Sequence, residues 1–120
     1  MPVVEITGIN KEDITQFDLK ILRSFLKQTV ADIPDLQIKR HWITVHFIKT
    51  IRSLREDYED ITVFVKGLRP MSEGGIERTR ELQLRIATVI KEALKIQFPD
   101  RKIEVFVEIF HGDMVDHNPE

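Results

Sequence analysis

The sequence predicts an α+β domain made of duplicated β-α-β units, forming a four-stranded mixed sheet with two helices on one face. Three observations carry this. Two long segments repeat apolar residues at helical spacing. Each follows a short β-rich run and ends on an apolar-Pro-Asp break, "IPD" at Ile33–Asp35 and "FPD" at Phe98–Asp100. Each break then leads into a stretch of strand-like alternation. A helix of this length can carry the chain between two parallel strands, which a tight turn cannot.

Taken in order, "PVVEITG" reads as the first strand. Asn10 is a candidate N-cap, with Glu12 and Asp13 in the first helical turn. Ile14, Phe17, Ile21, Leu22, Phe25, Leu26 and Val30 then recur at helical spacing until Pro34, which has no amide hydrogen to continue a helix. In "HWITVHFI", Ile43, Val45 and Phe47 fall on one face and Trp42, Thr44, His46 and Ile48 on the other. "REDYED" separates this strand from a third, "ITVFVKG", and "RPMSEGG" is a loop. Leu82, Ile86, Val89, Ile90, Ala93 and Leu94 mark the second helix, and "KIEVFVEIF" the last strand. Ser72 is a cap candidate, and Gly74 and Gly75 meet a turn requirement.

With 120 residues the chain fits a single domain spanning 1–120, with pseudo-repeats at approximately 2–52 and 60–111. A net charge of −2 argues against nucleic acid as a partner, because phosphate binding needs a concentrated cationic face. No cysteine occurs, which excludes disulfides, thiolate zinc sites and thiol nucleophiles. His41, His46, His111 and His117 have no metal-ligand spacing, so neither a metal nor a cofactor is expected. "SEGGIERTR" lacks the Gly-Lys-Ser/Thr ending of a P-loop. No basic region followed by an apolar run opens the sequence and no window approaches a membrane span, so a cytoplasmic location and no membrane partner are expected.

The face opposite the helices should carry Trp42, Thr44, His46, Thr62, Phe64, Glu104, Phe106, Glu108 and Phe110. That mixture is too apolar for water, and one layer of helices covers only one side of a sheet, so a second copy of the chain is expected there.

Pro2, the doubled unit and the expected oligomer together resemble the tautomerase superfamily, which includes 4-oxalocrotonate tautomerase and macrophage migration inhibitory factor. "WITVHF" at Trp42–Phe47 is similar to the second strand of the longer, migration-inhibitory-factor-like members. "EGGIERTRE" is similar to the turn opening their second helix, and "FPDRKIEVFVEIF" to the lead into the following strand. Within the superfamily the sequence looks most like an uncharacterised bacterial branch. The resemblance implies a homotrimer with the sheets inside and the helices outside. It implies a keto-enol tautomerase or isomerase in which the Pro2 amine, freed by removal of Met1, is the general base on a small keto or enol acid. An α-amino group has a pKa of about 7.7–8.0. An apolar or cationic setting lowers it toward neutrality, where a base can take a proton from carbon beside a carbonyl and return it elsewhere.

Such chemistry needs a cation for the enolate or carboxylate oxygen. Arg40 is the first choice, since guanidinium pairs bidentately with carboxylate, and Lys39 is the second. An ungapped match from Trp42 puts the family's basic position nearer Ile38. Trp42 falls on the pocket aromatic, a tyrosine in the best-known member. Pro70 falls near a position whose backbone amide contacts substrate, and proline has no such donor. Ile103 and Val105 stand where that member has a tyrosine and an asparagine. The alternative reading is a non-catalytic oligomeric binding module of the same fold.

Overall fold

The computed structural model describes residues 2–9, 14–48 and 60–109. In chain order these form strand β1 (Val3–Thr7), helix α1 (Gln16–Ala31), a 3-10 turn (Arg40–Trp42), strand β2 (Thr44–Ile48), strand β3 (Ile61–Leu68), helix α2 (Arg80–Gln97) and strand β4 (Ile103–Ile109). The sheet order is β2-β1-β3-β4. Strands β1 and β2 run parallel, β3 and β4 run parallel, and β1 and β3 are antiparallel at the centre. This is the mixed sheet of two β-α-β units that the sequence predicts.

Period-two alternation decides what each strand buries. Val4 and Ile6 of β1, Val45 of β2, Ile61, Val63 and Val65 of β3, and Ile103 of β4 share one core with Leu22, Leu26 and Val30 of α1. Leu82, Ile86, Ile90, Ala93 and Leu94 of α2 belong to the same core. Both helices therefore lie on the same side of the sheet. Ile103 and Val105 belong to this core side: Ile103 is buried and Val105 packs against the cluster.

Gly8 marks the exit from β1. Its φ is +101°, and a Cβ there would lie 2.2 Å from the Asp60 carbonyl oxygen, so only glycine lets the chain pass. The Gly8 carbonyl accepts from the guanidinium of Arg101, which joins the two halves at this end.

Two expectations are corrected, the N-cap of α1 and the start of β2. The N-cap of α1 is Thr15, whose Oγ1 accepts from the Asp18 amide; Asn10, Glu12 and Asp13 lie outside the described residues. A threonine directly before the helix satisfies one of the free amides of its first turn. Phe17, Ile21 and Phe25 are 71%, 52% and 45% exposed. They form a ridge beside the buried Leu22-Leu26-Val30 ridge, and only one of two adjacent ridges can face the sheet. Strand β2 begins at Thr44, so His41 and Trp42 belong to the turn before it. "REDYED", apart from its last residue Asp60, and Phe110 lie outside the described residues.

Candidate active site

Pro2 is buried at the start of β1. Its carbonyl accepts from the Thr44 amide at 3.1 Å, and the next residue, Val3, pairs with Thr44 on one side and Lys66 on the other. Pro2 is thereby fixed at one end of the central strand pair, just before the first β1–β2 pair, Val3 with Thr44.

After α1 the chain turns sharply. Asp35 and Gln37 both take positive φ, at 71° and 55°, a conformation rare for residues with a Cβ. Lys39 is extended, and the Trp42 amide donates to its carbonyl at 2.9 Å to close the 3-10 turn. The Lys39 ammonium sits 5.3 Å from the centre of the Trp42 ring, and His41 meets that ring edge-on at 6.0 Å. Lys39 and Trp42 are thus brought together by cation–π contact. Arg40 is not part of that group. Its guanidinium donates to Ser24 Oγ on the exposed side of α1. Lys39 and Arg40 also precede the strand rather than starting it, because the turn takes up the three residues Arg40–Trp42.

Lys39 and Trp42 line an open groove of about 390 Å³ whose other walls include Ala31, Gln37, Ile38 and Glu73. Pro2 and Arg40 are not on its walls. The groove runs between the segment after α1 and the loop after β3, and two connections hold those segments together. Ser72 Oγ donates to Gln37 Oε1 and accepts from the Ile76 amide at 2.9 Å. Arg78 donates to the Leu36 carbonyl at 2.8 Å and to those of Arg69 and Met71 at 3.2 and 3.4 Å. Burial lowers the Arg78 pKa below the ordinary arginine value, and its Nε is buried with no partner among the described residues. The Arg78 amide also donates to the Pro70 carbonyl at 2.7 Å.

Ser72 was expected as a helix cap, but α2 is capped by Thr79, whose Oγ1 accepts from the Leu82 amide at 3.1 Å. The hydroxyl of Ser72 ties two loops together instead. Gly75 has φ +84°, as a tight turn requires, whereas Gly74 permits close approach: a Cβ there would meet Gln37 Oε1 at 2.5 Å. Gln37, Glu73 and Arg78 carry no sequence signal for such roles, being polar residues in polar loops.

The open sheet face forms a second groove of about 510 Å³, whose lining includes Glu5, Thr7, Ile48, Phe64, Phe106 and Glu108. Phe64 and Phe106 are 40% and 50% exposed and stack with centres 5.3 Å apart. Beside them Lys66 pairs with Glu5 at 2.9 Å, and that hydrogen bond, with the charges of Glu5 and Glu108, raises the Lys66 pKa above its ordinary value. His46 is exposed on the same face, opposite Glu5 in register. Among the described residues no group of three or more His, Asp or Glu could hold a metal ion, and no helix is long and apolar enough to cross a membrane.

No protein-family model matches the chain, and no curated protein does. Solved structures do. A cis-3-chloroacrylic acid dehalogenase family member named N1 is 12% identical, with a TM-score of 0.66 over 93% of this chain and 77% of its own. A fused 4-OT asymmetric trimer is 8% identical, with a TM-score of 0.65 over 92% of this chain and 88% of its own. The chain has the fold of the tautomerase superfamily. Proteins of unknown function share it: a DUF1904 domain from Sebaldella termitidis is 17% identical, with a TM-score of 0.66 over 95% of this chain and 93% of its own.

Proposed function

We propose that the protein is a tautomerase-like isomerase whose Pro2 amine, after removal of Met1, is the general base on a small keto or enol acid. The observation that carries this reading is a proline buried at the head of β1 in a chain with the tautomerase-superfamily fold. Burial disfavours an ammonium ion, so a free Pro2 amine should titrate below the ordinary α-amino range of about 7.7–8.0. The base removes a proton from the carbon beside the substrate carbonyl and returns it at the other end of the enol system. Lys39 is favoured over Arg40 for holding the substrate carboxylate, because its ammonium faces Trp42 and the groove while Arg40 is engaged by Ser24. Trp42 supplies an apolar wall.

Assembly is part of the same proposal. Three copies closing around the open sheet face would cover Phe64 and Phe106, which one chain leaves exposed. The fused 4-OT neighbours are trimers.

A second reading, a non-catalytic binding module of this fold, is favoured by Pro70. That residue offers no amide proton to a ligand, and its carbonyl is taken by Arg78. An assay of enol-to-keto conversion of an arylenolpyruvate separates the two. Pro2→Ala should lower kcat/KM by about a hundredfold or more, the contribution of a general base, without moving the thermal midpoint. Equal activity in the variant would remove Pro2 from the mechanism.

A further inference from the structure

We propose that Glu73 is a charge filter that makes the Lys39–Trp42 groove prefer monoanionic acids to diacids. The inference rests on the reading of Lys39 and Trp42 as substrate-binding side chains and adds the class of acid they accept. The groove is lined by the apolar residues Ala31, Ile38 and Trp42 together with Lys39 and Glu73, which carry opposite charges. A ligand carboxylate drawn to Lys39 leaves the rest of the molecule against those apolar residues. A second carboxylate further along would meet the charge of Glu73.

The backbone of the turn that carries Glu73 is fixed by its neighbours. Ser72 on one side bonds to Gln37 and to the Ile76 amide, and the Gly75 amide donates to the Ser72 carbonyl at 3.0 Å. Gly74 on the other side lets the turn sit directly against Gln37. The Glu73 carboxylate forms no ion pair among the described residues, so its charge is not neutralised by a neighbour there. Lys39 has its ammonium over an aromatic ring, a contact that an incoming carboxylate can keep while pairing with the same ammonium.

Trp42 is the one tryptophan of the chain, so its fluorescence reports the groove directly. The probes are phenylacetate, a monoanion, and 4-carboxyphenylacetate, the same body with a second carboxylate. In the wild type phenylacetate should give saturable quenching, and the diacid should bind about fivefold more weakly or worse, a gap that narrows with salt because charges at an open groove are screened. Glu73→Gln should bring the diacid close to the monoacid while leaving the thermal midpoint unchanged. Lys39→Gln should weaken both. A wild type that binds the diacid as well as the monoacid, an unchanged preference in Glu73→Gln, or no saturable quenching by phenylacetate would each overturn the proposal. The titration does not depend on turnover. Selective binding without isomerase activity would sink the Pro2 mechanism and leave the filter standing, and activity without selectivity would do the reverse.

Discussion

Replacing Arg78 with alanine should destabilise the protein more than a typical change in a charged loop. Its guanidinium serves carbonyls on both sides of the groove, at Leu36 on one and at Arg69 and Met71 on the other. A hydrogen bond from a charged donor contributes about 1.5–3 kcal/mol net. The 2.8 Å bond to Leu36 merits that range, and the two longer bonds, at 3.2 and 3.4 Å, much less. Against them stands the cost of burying the guanidinium, which is what lowers its pKa. The net loss should be about 2–3 kcal/mol. At an unfolding entropy of ~2.1 cal/mol/K per residue, a chain of this length loses about 4 °C of thermal midpoint per kcal/mol, so the shift should be about 8–12 °C. Thermal unfolding followed by circular dichroism, at one protein concentration because assembly would make the midpoint concentration-dependent, measures it. Arg78→Lys should recover less than half, since an ammonium cannot reach carbonyls on two loops at once. A midpoint for Arg78→Ala within about 2 °C of wild type would refute the idea that this side chain clamps the loops.

Two further outcomes follow from the open face. Phe64→Asp together with Phe106→Asp should convert an oligomer to a folded monomer in sedimentation equilibrium; a wild type that is already monomeric would contradict the assembly. The raised pKa of Lys66 means that its pairing with Glu5 stabilises the fold fully below the ordinary lysine value of 10.5 and is lost as pH rises through the higher folded value. Lys66→Gln should therefore flatten the loss of stability above pH 10.5 seen in denaturant midpoints, and salt should shrink the effect because the pair is exposed.

Much of the fold was legible because it rests on periodicity. Alternation in "ITVFVKG" and helical spacing from Leu82 to Leu94 each have one solution that buries their apolar residues. The sequence leaves a choice where two local patterns compete. Phe17, Ile21 and Phe25 fit a helix as well as Leu22, Leu26 and Val30 do, and packing against the sheet decides between the ridges. Trp42 looks like a strand residue because alternation extends backward from Thr44, whereas bonds from the Trp42 and Ile43 amides to Lys39 and Arg40 carbonyls bend the chain first. The candidate site was only partly legible. Pro2, Lys39 and Trp42 stand out by type and place, but the Ser24 contact that draws Arg40 away links residues sixteen apart. Arg78 sits in "ERTRE", where every charge looks solvated, and its role depends on Leu36, forty-two residues away.

The proposed chemistry depends most directly on the covalent state of the amino terminus. Pro2 is an amide while Met1 remains attached and a secondary amine once it is gone, and only the amine can accept a proton from carbon. Intact-mass measurement of the protein purified from its native host decides between these states. The account predicts a mass lower by one methionine residue, with Pro2 as the first residue. A population that fully retains Met1 would contradict it and leave a binding module with a tautomerase-superfamily fold.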